Sequence, residues 1–371
     1  MSDEREYAGG ENIGSIDANH EDTGGGSTNA VNLVVFHGYG TPRHLYLSGR
    51  VLRNAPDVAV MGASVLRNLA AAFNRLDSNE LPNVTVRATY RDQTWETTSD
   101  EEGYFAFEIE PENPLAAGDT WHDLAVTWQH PNEDASGAAV TARVLTPAPT
   151  AAFGVISDVD DTILRSYITS IVKMALEMLL KNAYSRVTFP GVPAFYRALQ
   201  SGGGSSDGDS DNNPIFYVSL SPWNLYSLLK EFLEINDIPP GPLILRDYSL
   251  QTLTSLGGPS PKRKLIQDLL DLYPELPFVL LGDSGQHDPE TYAEVVRENP
   301  GRIRAIYIRD VSGGTDADRA QEVAALAAET QASGVDMLLS PHTRDFAIHA
   351  AALGLIQPLA VEEVEQDEEN A

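Results

Sequence analysis

No cysteine occurs among the 371 residues. Disulfides, thiolate metal sites and cysteine nucleophiles are therefore excluded. Lysine is scarce as well: Lys173, Lys181, Lys230, Lys262 and Lys264 are the whole set. No run approaches the ~18 consecutive apolar residues of a bilayer-spanning helix. The longest candidate, at 168–180, is interrupted by Lys173 and Glu177. The opening MSDEREYAGGEN lacks the basic-then-apolar layout of a secretory signal. The expected location is the cytoplasm, with no transmembrane segment and with peripheral membrane contact left open.

Negative charge is what abounds. Twenty-five Lys and Arg against 54 Asp and Glu leave a net charge of −29. Such a surface offers no basic face to nucleic acid. The composition resembles that of proteins from organisms with molar intracellular salt. At ~1 M salt the Debye length shrinks to about 3 Å and the self-repulsion is largely screened. An acidic partner-binding surface is the alternative. Apolar residues reach 42%, which excludes a wholly disordered chain. The length implies two domains plus tails.

Two rhythms divide the sequence. Residues 1–29 are acidic and Gly/Ser/Asn-rich and read as a disordered tail, and 359–371 read as an acidic tail. From 30 to 148 the pattern is β. Val84, Val86, Ala88 and Tyr90 alternate with Thr85, Arg87, Thr89 and Arg91, and Phe105, Phe107 and Ile109 share a face opposite Glu108 and Glu110. About seven such strands suffice for a sandwich-like all-β domain. One helix is expected where Val65, Leu66, Leu69, Ala72 and Phe73 recur. His37, His44, His122 and His130 are scattered and read as surface or packed residues. LTPAPTAA, 145–152, reads as a linker.

From 149 to 358 short apolar runs alternate with helical segments. FGVIS, PIFYVS, PLILRD, PFVLLG, IRAIYI and VDMLL are apolar without alternation, as in strands buried on both faces. This predicts a parallel sheet with crossover helices, an α/β Rossmann-like architecture. The segment 201–213, SGGGSSDGDSDNN, reads as a flexible insert.

Ligand sites in open α/β sheets lie where the chain leaves the carboxyl ends of strands. Asp158-Val159-Asp160-Asp161-Thr162 follows the first run, Ser219-Leu220-Ser221 the second, and Asp283-Ser284-Gly285-Gln286-His287-Asp288 the fourth. Lys262 stands just ahead of the helix leading into the fourth. Carboxylates gathered in one cleft need a cation between them, and oxygen-only ligands favour Mg²⁺. A carboxylate can attack phosphorus to give an aspartyl-phosphate. A second, two positions on, can protonate the leaving oxygen and then activate water. Ser219 and Lys262 would neutralise phosphoryl oxygens.

These residues carry a resemblance. DVDDT after a hydrophobic strand resembles the first motif of the haloacid-dehalogenase superfamily, DxDx[TV]. Ser219, Lys262 and the Asp283/Asp288 pair resemble its second, third and fourth motifs. More narrowly, SDVDDTI, FPGVPAFYRAL, YVSLSPWNLYSLLKEFL, GPLILRD, YPELPFVLLGDSGQHDPETYAEV and RAIYIRDV resemble the actin-patch-type phosphatidate phosphatases, with lipins as more distant relatives. The resemblance implies a Mg²⁺-dependent phosphatase. Asp158 would be nucleophile and metal ligand. Asp160 would be acid/base, its carbonyl also on the metal. Asp283 would complete the protein's metal ligands, Asp288 would support them, and Ser219 and Lys262 would bind the phosphoryl group. Thr162 would buttress the first loop, and Gln286 and His287 belong to the narrower signature. The implied substrate is phosphatidate, releasing diacylglycerol.

Alternatives stay open at several positions. Pro261 stands where relatives often carry His, so Lys264 rivals Lys262. Ser221 rivals Ser219, unless it caps the helix starting near Pro222. Arg246 and Arg309 could bind phosphate or pair with Asp247 and Asp310. Trp223 and the apolar helix at 168–180 could face lipid or the core. A phosphatase for a soluble phosphomonoester, and a phospholipid-binding scaffold with little turnover, are the competing functions. Retention of both Asp158 and Asp160 argues against the scaffold.

Overall fold

The computed structural model describes residues 31–53, 80–116, 118–130, 136–159, 189–204, 213–246, 260–312 and 314–370. The expected N-terminal tail, the helix at 65–73 and the apolar helix at 168–180 lie outside them, as does most of the 201–213 insert.

The N-terminal strands are β1 (Val31–Val35), β2 (Gly38–Thr41), β3 (His44–Arg53), β4 (Thr85–Tyr90), β5 (Gln93–Thr98), β6 (Tyr104–Ile109), β7 (Trp121–Gln129) and β8 (Val140–Leu145). Alternation works as read: Val86 and Ala88 of β4 and Phe105, Phe107 and Ile109 of β6 are buried in one core with Leu45, Leu124 and Val144. The turn before β6 is built locally. The Asp100 carboxylate accepts from the Glu102 and Tyr104 amides, and Gly103 takes a φ of +77°. The hydrogen bonding makes one connected eight-stranded sheet, in the order β1-β3-β2-β8-β7-β4-β5 with β6 on β3. The cause is β3. Its ten residues pair with β1 and β2 along one edge and with β6 along the other. The β2–β8 pair is parallel, so the sheet is mixed.

The C-terminal strands are β9 (Gly154–Asp158), β10 (Ile215–Pro222), β11 (Leu243–Arg246), β12 (Phe278–Asp283), β13 (Ile303–Arg309) and β14 (Asp336–Ser340). All pair in parallel, in the order β11-β10-β9-β12-β13-β14. The helices are α1 (Val192–Ser201), α2 (Tyr226–Ile235), α3 (Pro261–Leu272), α4 (Asp288–Glu298), α5 (Ala317–Ala332), α6 (Thr343–Ala352) and α7 (Ala360–Glu369). Val155, Tyr217, Val279, Leu281 and Tyr307 pack under α1, α2, α6 and α7, through Phe195, Leu229, Phe346 and Val364. Ile156, Phe216, Leu280 and Ile306 pack under α3, α4 and α5, through Ile266, Tyr292 and Val323. Both faces are covered, hence the unbroken apolar runs. The strand order reverses between β9 and β12, which opens a crevice at their carboxyl ends.

Two expectations need correction. The acidic end is a helix rather than a solvated tail: Val364 of α7 is fully buried, and the Glu368 carboxylate accepts from the Arg344 amide and pairs with His342. A short apolar stripe and basic neighbours on α6 outweigh the local repulsion. Asn213, assigned to the flexible insert, is buried. Its carbonyl oxygen accepts from the Ala152 and Phe153 amides, and its amide group donates to the Leu199 carbonyl.

The two sheets meet through residues 36–40. Phe36 lies in the core under α1 and α2, its ring stacked on Trp223 at 4.6 Å and tilted on Tyr226 at 4.2 Å. The His37 amide donates to the Tyr226 hydroxyl (2.6 Å), and the Tyr273 hydroxyl donates to the Gly40 carbonyl (3.2 Å). Burial here holds the His37 imidazole down, at a pKa of about 4. Trp223 is thus a packing residue. Truncating a buried Phe costs about 3–5 kcal/mol, so Phe36→Ala should lower the denaturation midpoint by that loss and Phe36→Leu by less. A wild-type midpoint for Phe36→Ala, by chemical denaturation, would show that the sheets do not rest on each other.

Candidate active site

Asp158 is the last residue of β9 and Asp283 the last of β12, the two strands flanking the crevice. Both carboxylates are buried. Lys262 comes from the first turn of α3. Ser260 caps that helix by accepting from the Arg263 amide (3.2 Å), and Pro261 takes its first position. Lys262 and Lys264 are about 200° apart around a helix, so only one can face the sheet. Lys262 is buried, whereas Lys264 is exposed and pairs with Asp268 at 2.9 Å. Helix geometry turns Lys262, and not Lys264, toward Asp158.

The Lys262 ammonium lies 2.8 Å from Asp158 Oδ1 and 2.5 Å from Asp288 Oδ1. Asp288 opens α4, and its Oδ2 accepts from the Asp283 amide at 3.2 Å. A β-carbon at position 282 would lie 2.6 Å from Asp288 Oδ2, which explains the glycine before Asp283. Asp283 Oδ1 accepts from the Gly285 (2.7 Å) and Gln286 (3.0 Å) amides, closing a turn on itself. Ligand oxygens of Asp158, Asp283 and Asp288 all lie within 4.8 Å of one another.

Ser219 is buried near the carboxyl end of β10, one residue beyond the Val218–Asp158 register pair. Its hydroxyl oxygen accepts from the Ser221 amide at 2.9 Å. Ser221 does not cap α2, which begins at Tyr226 after a 3-10 turn and has no side-chain cap. Asp160 and Thr162 lie outside the described residues. Gln286 is half-buried and His287 exposed at the rim. The Arg246 side chain is also outside the described set. Arg309 is buried and, among the described residues, makes no ion pair with Asp310. Its guanidinium donates to the Pro341 carbonyl and the Thr343 hydroxyl, between the Phe189 and Phe346 rings. Burial brings its pKa down to about 10. The Asp310 carboxylate accepts instead from Ser312 and Gly314.

Sequence reading missed Ser157 and Tyr196. The Ser157 hydroxyl donates to the Asp158 carbonyl (2.8 Å) and lies 2.6 Å from the Tyr196 hydroxyl, behind the candidate nucleophile. Tyr196 sits on the buried face of α1 with Val192, Phe195 and Leu199, and nothing local distinguishes it from an ordinary core aromatic. Burial holds its hydroxyl protonated, well above the usual range.

Charge defines the cluster. Burial works against the Lys262 ammonium, but Asp158 and Asp288 outweigh it and hold its pKa above the usual lysine range. Burial, aided by Asp158 and opposed by Lys262, pushes Asp288 up to about 7. Three carboxylates against one ammonium leave an acidic, all-oxygen donor set. That set fits a hard divalent cation such as Mg²⁺.

The Asp288 shift sets a pH dependence. From the ordinary value of 3.8 up to about 7, folded Asp288 keeps a proton that the unfolded chain has lost. Stability therefore falls as pH rises through that window. Urea midpoints of chelator-treated protein should show a downward contribution that Asp288→Asn removes. Parallel pH profiles for the two proteins would contradict the assignment.

Residues 153–310 match the family described as phosphatidate phosphatase APP1, catalytic domain. Phosphatidate phosphatase APP1 of Saccharomyces cerevisiae is 35% identical over 158 residues, 42% of this chain and 25% of that protein. An uncharacterized protein of Schizosaccharomyces pombe is 28% identical over 160 residues, again 42% of this chain and 25% of its own length. The chain thus aligns with about a quarter of each relative. Among solved structures, a carbohydrate acetylesterase from Xanthomonas citri aligns at a TM-score of 0.25 and 9% identity, over 81% of this chain and 74% of that one. A likeness that slight carries no argument. The matched segment holds β9 to β13 and the whole Asp158–Lys262–Asp283–Asp288 cluster, so the likeness to the APP1-type phosphatidate phosphatase catalytic domain lies over the candidate site.

Proposed function

We propose that this chain is a Mg²⁺-dependent phosphatidate phosphatase acting through an aspartyl-phosphate, on a haloacid-dehalogenase-type, Rossmann-like domain behind an N-terminal β domain. One observation carries the reading. A buried carboxylate at a strand's carboxyl end, Asp158, meets a buried ammonium, Lys262, beside Asp283 and Asp288, all within the matched segment.

An Asp158 carboxylate oxygen attacks phosphorus, and the bond from phosphorus to the lipid oxygen breaks. Asp160 gives its proton to that leaving oxygen, releasing diacylglycerol. Asp160 then takes a proton from the water that attacks the aspartyl-phosphate, which frees phosphate and restores Asp158. Lys262, already within hydrogen-bond reach of Asp158, donates to the phosphoryl oxygens as their charge spreads. Ser219 donates from the neighbouring strand end. Asp158, Asp283 and the Asp160 carbonyl would hold Mg²⁺, with Asp288 in support. Bound Mg²⁺ supplies charge neutralisation at the phosphoryl group. Thr162 would support this first motif, as the resemblance implies.

The substrate class follows the name of the yeast relative. Among the described residues no helix is long and apolar enough to cross a membrane. The enzyme would work at a lipid surface from the cytoplasmic side, by peripheral contact.

The test is phosphate release from phosphatidate in mixed micelles, beside a soluble monoester. About 2 M KCl would screen the −29 net charge. Wild type should act on phosphatidate with Mg²⁺ and stop with chelator. Asp158→Asn should lose roughly three orders of magnitude or more, and Asp160→Asn roughly 10²–10⁴-fold. Turnover of the soluble ester alone would move the substrate to a metabolite. A fully active Asp158→Asn would refute the mechanism.

A further inference from the structure

The turn 284–287 separates Asp283 from Asp288, and its conformation sets how the two carboxylates meet. Its inner side is held by Asp283 itself, whose carboxylate accepts from the Gly285 and Gln286 amides. Its outer side is held by a residue remote in sequence. Arg319 lies in the first turn of α5, where the Asp316 side chain caps the helix by accepting from the Arg319 amide at 3.0 Å. From there its guanidinium reaches across to the turn. Nε donates to the Ser284 carbonyl (2.8 Å) and Nη2 to the Gln286 carbonyl (2.7 Å). Nη1 and Nη2 donate to the Glu290 carboxylate, in the first turn of α4, at 2.5 and 3.0 Å. Nη1 also donates to Glu322 at 3.0 Å. A guanidinium has five N–H donors, and these bonds use all of them.

The geometry points to Arg319 as a positioning residue for the acidic cluster, an inference that rests on the phosphatase reading above. The Ser284 carbonyl and the Gly285 N–H belong to one planar trans peptide and point in opposite directions. Arg319 grips one end of that unit and Asp283 the other. The cation polarises the peptide toward the carboxylate, and linked hydrogen bonds of this kind strengthen each other. The grip on Glu290 fixes the start of α4, and with it Asp288. Glu290 is held below the usual carboxylate range, chiefly by its hydrogen bonds from Arg319, so the clamp stays ionised at neutral pH. Loss of the guanidinium would free two carbonyls and let the Ser284–Gly285 peptide plane rotate. Asp283 would then no longer be presented to a cation together with Asp288 and Asp158.

Arg297 offers a control. It joins α4 to α5 through Glu329 at 2.6 Å, on the same helix pair but away from the turn.

The experiment compares wild type, Arg319→Met, Arg319→Lys and Arg297→Met. It measures Mg²⁺ binding by calorimetry without substrate, and amide hydrogen exchange at Gly285 and Gln286 in metal-free protein. Partners behind a metal's direct ligands are worth about 10–100-fold in affinity. Arg319→Met should weaken Mg²⁺ binding by about that factor and speed exchange at both amides. Arg319→Lys should recover only part, because an ammonium cannot reproduce the planar fork. Should Arg319→Met fail to fold, Arg319→Lys carries the same comparison. Arg297→Met should match wild type in both readouts. Wild-type exchange and Mg²⁺ affinity in the Arg319 variants would overturn the inference. The exchange readout needs neither metal nor substrate. A wild type that neither binds Mg²⁺ nor releases phosphate would therefore sink the phosphatase reading while exchange still reports on the clamp.

Discussion

The buried ammonium of Lys262, held between Asp158 and Asp288, is the interaction on which the site depends. Taking ions out of water costs several kcal/mol per ion. Lys262 stays charged because a carboxylate lies on either side, while Lys262 offsets only part of the burial penalty on Asp288. On the proposed function, the excess negative charge of the cluster would be met by a divalent cation and, with it, a phosphoryl group.

The sheet makes this meeting possible. β9 and β12 are neighbours although the chain passes through two other strands between them. Their carboxyl ends therefore bring Asp158 and Asp283 together at the point where strand order reverses. α3 and α4 start at this end of the sheet and contribute Lys262 and Asp288 from their first turns. An acidic residue in a first turn is also favoured by the helix dipole. Packing on both faces fixes these starting points: Ile266 and Leu269 of α3 and Tyr292 and Val295 of α4 share one core with Ile156 and Leu280.

Outside the site, many charged contacts lie on the surface, such as Lys264–Asp268 and Arg297–Glu329. Exposed pairs of this kind contribute little individually. Arg319 differs because its partners include peptide carbonyls of the turn between two site residues. The N-terminal sheet also enters the architecture of the matched segment, though it precedes it in sequence. Phe36 fills the core under α2 and stacks on Trp223, directly after the strand that carries Ser219.

Much of this was legible before the chain was seen folded. Strands β9 to β14 announce themselves because residues buried on both faces must be continuously apolar. Strands such as β4 and β6 do so because one-sided burial forces alternation. Asp158, Ser219, Lys262, Asp283 and Asp288 could be named because they follow strands or begin helices, and because their order resembles a known set of motifs. Other features depended on long-range contacts. The choice of Lys262 over Lys264 follows from which face of α3 meets the sheet. The Ser157–Tyr196 contact behind Asp158, the enclosure of Arg309 between Phe189 and Phe346, and the Arg319 clamp join segments far apart in the chain. The acidic terminus became a helix because Val364 found a buried place, although its local charge favoured water. Sequence by itself determined the periodicities, the strand-end positions of the acids and the absence of thiol chemistry, since each is a property of neighbouring residues. Tertiary structure alone decided which charges are buried together, because desolvation and pairing depend on what packs around a group rather than on what precedes it.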